Sequence, residues 1–301
     1  MKKLQSLREK INAIDGKLVD LINRRTDIAR DIGKLKADTR QPVYSPQREK
    51  EVYERLWKNS KGPMRKESLK AIFREIMSGA LSLEKELLIA YLGPEATFTH
   101  QAAMTKFGAS VQYLAIKNIT DVFHEVEKGH ADYGVVPIEN SMEGVVTHTQ
   151  DMFIDSGLKI CAEVYLDISH NLLSRAKKLS QITKIYSNPQ AFGQCRGWLL
   201  ANVPGADLIE VASTTRAAEI ARKEPRSAAI ASGLAAKLYG LKMPAGSIQD
   251  SSDNITRFLV IAKAFGHATG HDKTSVMFSI KDKVGALHDV LGLFEKHRIN
   301  L

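Results

Sequence analysis

The chain has 301 residues, 44% of them hydrophobic, and a formal net charge of +9; that is too long for one ordinary core and predicts two or three domains. No apolar run approaches the length of a membrane span, and the basic opening MKKLQSLREK leads into charged helical sequence, so a cytoplasmic protein with no membrane contact is expected. Its two cysteines, Cys161 and Cys195, are too few for a disulfide framework and form no zinc-ligand spacing, so both read as plain thiols and no metal is expected.

The charge is uneven. Residues 1–88 carry 21 Lys and Arg against 13 Asp and Glu, while the remainder carries 22 against 21. The basic segment has few aromatics to stack on bases and no recognition motif, so a small anionic ligand is expected there and no nucleic acid. Leu4, Leu7, Ile11, Ile14, Leu18, Leu21, Ile28, Ile32 and Leu35 alternate at steps of three and four, which predicts one long helix with a heptad seam. The one gap in the seam is filled by Arg25, and a guanidinium on a buried seam is costly unless it meets an anion. Pro42 and Pro46 stop and restart the chain, and a second helix from about Ser45 carries Arg48 and Glu49 on its first turn. After GPMRK, Leu69, Ile72, Phe73, Ile76, Ala80, Leu83 and Leu87 line a third helix with Glu84 at its edge. Three helices this thin bury little alone, so an intertwined homodimer, or a higher homo-oligomer, is expected.

From LLIAYLGPEATFTHQAA onward, short apolar runs at 88–92, 133–138, 184–187, 208–212, 227–231 and 258–262 alternate with helical stretches, which predicts an α/β sheet. Five polar clusters fall at the junctions: Thr97 to His100; Glu139, Asn140 and Ser141; Ser187, Asn188 and Gln190; Ser213 and Thr214; and Asn254 to Arg257. Any one of them is accounted for as a helix cap or turn. Five together read as an anion cleft lined by helix N-termini. No nucleotide loop, serine elbow or zinc motif is present, and no cofactor is expected. Beyond a polar linker, FGHATGHD, TSVMFSI predicts a strand and VGALHDVLGLFEKHRI an amphipathic helix.

Three resemblances follow. LREKINAID, NRRTDIARDIGKLK, PVYSPQRE and FREIMSGALSLEK, over about residues 4–88, resemble the all-helical chorismate mutase family. That resemblance implies an all-α three-helix, intertwined-dimer domain over 1–88, acting without a cofactor. Arg25, Arg48 and the partner protomer's Arg8 would hold the two carboxylates of chorismate, Lys36 the ether oxygen, and Glu49 a hydroxyl. Ala80 stands where serine is common, Glu84 where a glutamine donates to the ether oxygen, and Ser45 where some members have aspartate. A carboxylate cannot donate, so Glu84 would have to be protonated.

YLGPEATFTHQAA, GVVPIENSMEG, YSNPQAFGQC, STTRAAE and NITRF resemble prephenate dehydratase, over 89–265. The implied fold is two α/β lobes like those of periplasmic binding proteins, with prephenate between them. Thr256 would assist departure of the ring hydroxide and Arg257 would pair with a carboxylate. Glu139, Asn140, Ser141, Ser187, Asn188, Gln190, Ser213 and Thr214 would bind substrate. Residues 273–301 resemble the opening of an α+β ACT regulatory domain, with Gly285, Ala286 and Leu287 in its ligand turn; as a partial unit it is expected not to form the phenylalanine inhibitor site of an intact form. Together the resemblances imply conversion of chorismate through prephenate to phenylpyruvate. Two other readings stand beside this one: the α/β unit as a sensor of an anionic metabolite, and the helical segment as a dimerisation arm.

Overall fold

The computed structural model describes residues 1–39, 43–266, 268, 270 and 272–301. Pro42, expected to end the first helix, lies outside the described residues, as do His267, Thr269 and His271 of the expected linker. Residues Met1–His267 form one compact unit and Ala268–Leu301 a second.

Helix α1 (Lys2–Asp38) is followed by α2 (Pro46–Asn59) and α3 (Lys66–Glu84). Ser45 caps α2 by accepting from the Arg48 backbone N–H at 3.3 Å, with Pro46 at the first helical position, where its missing N–H costs nothing. Gly33 lets α1 and α3 meet: a Cβ there would stand 2.7 Å from Glu84 Cγ. The apolar stripe of α1, including Leu4, Ile11 and Leu18, is exposed on the single chain.

The α/β part continues through β1 (Leu88–Leu92), α4 (Phe98–Phe107), β2 (Gln112–Ile116), α5 (Ile119–Lys128), β3 (Tyr133–Asn140), β4 (Gly144–Val145), α6 (Thr147–Asp155) and β5 (Lys159–Asp167). It then runs through β6 (Asn171–Ser174), β7 (Lys184–Ser187), α7 (Pro189–Gln194), α8 (Arg196–Asn202), β8 (Asp207–Glu210), α9 (Thr214–Lys223), β9 (Ser227–Ala231), α10 (Gly233–Tyr239), β10 (Lys242–Ala245) and β11 (Ile255–Ala262). Two sheets result. One runs β2-β1-β3-β11-β5, with β4 on β3; the other runs β10-β6-β9-β7-β8. Parallel pairs meet in both, but β11 returns from the second lobe to lie antiparallel between β3 and β5. The chain therefore crosses between lobes twice, after β5 and before β11.

Thr256 and Arg257 are not at the mouth of the last strand but inside it, opposite Asn140 and Glu139 of β3. Successive strand residues point to opposite faces. One of the pair is thereby committed to each side of the sheet.

The helical segment and the α/β lobes share a core. Tyr44, 5% exposed, has its ring centroid 5.1 Å from that of Phe107 and 5.6 Å from that of Tyr133. Ser78 of α3 accepts from the Ser110 N–H at 3.0 Å, and Glu75 from the Ala109 N–H at 2.9 Å. Gly108 sits between those contacts at φ +77°, where a Cβ would come within 2.5 Å of Ser78 Cβ, so both backbone and space require glycine.

In the second unit, α11 (Ala286–Lys296) forms where the amphipathic pattern predicts it, entered through Gly285 at φ +79°. The expected strand TSVMFSI does not form: residues 274–280 are irregular, with Val276, Met277 and Phe278 exposed. A strand exists through its ladder, and the described residues of this unit offer no second strand to pair with. Ala286 is buried and Leu287 exposed on the first turn of the helix.

Candidate functional sites

A cavity of about 430 Å³ lies among the three helices and gathers most of the residues expected for an anion site. Arg25, Lys36, Ser45, Arg48, Glu49, Ala80 and Glu84 all line it; Arg8 of the same chain does not. Arg25 Nη1 is buried with no hydrogen-bond partner among the described residues. Burial, then the Arg48 charge, lowers the Arg25 pKa, and Glu84 opposes the shift. Arg48 itself pairs with Glu51 at 2.9 Å. Lys36 Nζ donates to the Val43 carbonyl at 2.7 Å and stands 3.5 Å from Glu84 Oε2. Burial raises the Glu84 carboxyl above the ordinary carboxylate range, against the pull of Lys36 and Arg25. Glu49 Oε2 accepts from the Tyr44 hydroxyl at 2.6 Å and from Lys106 at 2.7 Å.

In the α/β lobes the cluster forms around Thr256, which is 9% exposed. Asn140 Oδ1 accepts from the Met142 and Glu143 N–H groups at 2.9 and 3.0 Å, which fixes its amide. Its Nδ2 then donates to Thr256 Oγ1 and to Asn254 Oδ1, both at 2.7 Å. Because Thr256 is the acceptor from Asn140, its own hydroxyl proton is left to donate elsewhere. Asn254, 2% exposed, donates to Gln194 Oε1 at 3.0 Å. That amide oxygen also lies 2.7 Å from His170 Nε2. An amide oxygen only accepts, so Nε2 carries the proton, and the buried Nδ1, without a partner among the described residues, is bare. Burial lowers the His170 pKa, which keeps the ring neutral. The network ties both lobes together at the crossover: Gln194 belongs to the second, Asn140 and Thr256 to the first.

The remaining expected residues separate by what their atoms already do. Ser141 Oγ donates to the Asp253 carbonyl and accepts from the Ile255 N–H, bracing the approach to Thr256. Asn188 caps α7 and Ser213 caps α9. Gln190 is exposed and Thr214 half-buried on the first turns of those helices. The adjacent Thr215 donates to the Glu95 carbonyl at 2.9 Å, bringing the α9 N-terminus against the loop that precedes α4. Ser187 is fully buried and donates to the Ile230 carbonyl at 3.0 Å, so its hydroxyl joins β7 to β9. Arg257 lies on the opposite face from Thr256 and pairs with Glu163, with Glu139 at 3.5 Å, so its fork is engaged in an ion-pair cluster. His100 is structural, stacked 4.4 Å from Tyr91 and accepting from the Ala96 N–H. Gln194 and Lys106 were not singled out from sequence. Gln194 lies inside a quoted motif, where a neutral amide gives no signal of its own.

A cation-lined helical cavity joined to a two-lobed α/β unit with a hydroxyl–amide cluster defines a protein with two sites for small polar ligands. The chorismate mutase type II family model matches residues 7–85 and the prephenate dehydratase family model matches residues 89–265. A bifunctional chorismate mutase/prephenate dehydratase of Aquifex aeolicus is 48% identical over 305 residues, covering 100% of this chain and 84% of that one. Its counterpart in Pseudomonas aeruginosa is 43% identical over 304 residues, covering 99% and 83%. A solved prephenate dehydratase of Arthrobacter aurescens in complex with L-Phe is 32% identical, with a TM-score of 0.61, covering 70% of this chain and 72% of that one. The chain belongs to the bifunctional chorismate mutase/prephenate dehydratase family.

The Arg257 ion-pair cluster is testable by stability. Arg257→Met leaves Glu139 and Glu163 facing each other at a half-buried site and is expected to cost about 2 kcal/mol in chemical denaturation. Arg216→Met, which breaks an exposed pair with Glu219, is expected to cost under about 0.5 kcal/mol.

Proposed function

We propose that the helical cavity binds chorismate through Arg25, Arg48 and the partner protomer's Arg8, and that the Thr256 cluster acts on prephenate. The chain is a chorismate mutase and a prephenate dehydratase, and the two reactions in sequence turn chorismate into phenylpyruvate on the route to phenylalanine. A sensor role for the α/β unit finds no support beside these relatives. The observation that carries the mutase assignment is Arg25, whose buried Nη1 has no hydrogen-bond partner among the described residues and which is held near a second arginine whose charge opposes its own. A dianionic ligand relieves that cost.

The rearrangement moves no proton. It is accelerated by holding the reactive conformer and stabilising charge as the ether bond breaks. Lys36 and a protonated Glu84 are the donors to that ether oxygen, and Glu49 accepts a substrate hydroxyl. In the second site prephenate loses carbon dioxide and its ring hydroxide, and aromatisation drives both departures. Thr256 donates to the leaving hydroxide. Its oxygen accepts from Asn140, which offsets charge building on that oxygen as the proton is given up. Ser141, Asn188, Gln190, Ser213 and Thr214 orient the substrate through backbone and helix N-termini.

A homodimer in which a second copy covers the exposed stripe of α1 would bring Arg8 to the partner's cavity. The Arthrobacter complex with L-Phe supports phenylalanine as a ligand of proteins of this kind. A cytoplasmic location is supported by the absence, among the described residues, of a helix long and apolar enough to cross a membrane.

Three outcomes test this reading. Thr256→Val is expected to abolish phenylpyruvate formation from prephenate while chorismate loss continues at the parent rate; retention of more than a few per cent of dehydratase turnover removes Thr256 from its role. Mutase kcat is expected to fall as pH rises through the raised pKa of Glu84, because only the protonated carboxyl donates, and Glu84→Gln is expected to flatten that limb. Coincident wild-type and Glu84→Gln profiles would remove Glu84 from the reaction. Finally, Arg8→Ala and Arg25→Ala chains, each inactive as a mutase alone, are expected to regain part of that activity when unfolded and refolded together, because a mixed dimer contains one intact site. A mixture no more active than its components argues that Arg8 acts within its own chain or not at all.

A further inference from the structure

The mutase cavity is not built from the helical segment alone. Lys106 and Phe107, on the last turn of α4, form part of its wall, and α4 belongs to the α/β unit. Lys106 Nζ lies 2.7 Å from Glu49 Oε2, with the two side chains 18% and 14% exposed. The Tyr44 hydroxyl donates to the same oxygen at 2.6 Å, and the Lys106 ammonium sits 5.6 Å from the centre of the Tyr44 ring. Phe107, the next residue, packs on Tyr44, so the backbone that presents Lys106 is held by the shared core. The cations beside Glu49 on α2 are turned elsewhere: Arg48 and Arg55 pair with Glu51, and Lys50 reaches toward Glu54. The charge that balances Glu49 thus comes from the other enzyme of the chain.

We propose that Lys106 is a positioning residue of the mutase: with Tyr44 it fixes Glu49 Oε2 and leaves the carboxylate oriented to accept the substrate hydroxyl. The proposal rests on the reading of Glu49 given above. It makes the first reaction depend on a helix of the second enzyme. Lys106 does not act on chorismate itself; its effect passes through Glu49. The interaction holds substrate and transition state alike, so its loss falls mainly on KM.

The experiment uses the full chain with four variants: Lys106→Met, Lys106→Arg, Glu49→Gln and the double variant Glu49→Gln/Lys106→Met. Turnover of prephenate in each preparation reports the integrity of the fold. Lys106→Met is expected to raise the chorismate KM about tenfold with a smaller change in kcat. Lys106→Arg is expected to recover most of that loss, and Lys106→Met is expected to add little in the Glu49→Gln background, since the two act as one unit. Should Lys106→Met lose prephenate turnover as well, Lys106→Gln, which keeps a neutral donor, takes its place in the same comparison. An unchanged KM in Lys106→Met with an altered one in Glu49→Gln overturns the proposal and leaves the Glu49 reading standing. Unchanged kinetics in Glu49→Gln remove that reading and the proposal with it. Fully additive losses, or a parallel fall of both activities that arginine does not restore, assign Lys106 to structure alone.

Discussion

Tyr44 is the point on which the first 267 residues depend. It lies between α1 and α2, yet its ring is buried against Phe107 and Tyr133 of the α/β part, and its hydroxyl must then be satisfied where it ends. The oxygen it reaches is that of Glu49, inside the helical cavity. Burying one aromatic ring thereby fixes three things together: the approach of residues 43–45 to α2, the contact of helices with sheet, and the direction of a carboxylate in the helical cavity. Burial and the Glu49 charge raise the Tyr44 pKa well above its ordinary value, so the phenol remains a donor across the working pH range. The contact between the two enzymes is thus also part of one of them.

The same sheet separates the two chemistries. Tyr133 opens β3 beside the mutase joint and Asn140 closes it beside Thr256. Seven residues of extended chain span about 23 Å. The helical cavity and the Thr256 cluster therefore share a strand without sharing a wall. Each site is supported by what its end of the sheet supplies: aromatic packing at the start of β3, and hydrogen-bonding edges where β3 meets the returning β11.

Much of this was legible in the sequence, and the parts that were not have a common cause. The heptad spacing and the cation at its gap were readable because a helical period and a misplaced charge are local signals. The apolar runs that became β1, β3, β7, β9 and β11 were readable for the same reason, as were the caps Ser45, Asn188 and Ser213. What was not legible depends on pairing between distant segments. TSVMFSI has the composition of a strand, but composition supplies no neighbour. Arg257 looked like a carboxylate partner of substrate because it follows Thr256 in sequence; in a ladder, adjacency places it on the other face, with Glu163. Ser187 carried the hydroxyl expected at a strand end, but β9 lies close enough to use it. Lys106 gave no signal, since a lysine on the last turn of a helix is ordinary until the chain brings Glu49 to it.

The two sites solve opposite electrostatic problems. The mutase reaction creates no ions and transfers no proton, and the carboxylates of its substrate are charged before and after it, so a cavity as cationic as the one lined by Arg25, Arg48 and Lys36 suits it. A protonated Glu84 suits that cavity, because an ionised one would cancel Lys36 and be unable to donate. The dehydratase reaction expels a carboxylate as carbon dioxide and a hydroxide as water. A cation fixed on that carboxylate would hold back the charge that must flow into the ring. Neutral groups carry no such penalty, and the hydrogen-bond chain that runs from Thr256 through Asn140, Asn254 and Gln194 to an uncharged His170 contains no cation. The displacement of Arg257 to the far face, paired with glutamates, follows the same logic: the guanidinium stabilises the sheet from the side where no carboxylate is to be lost.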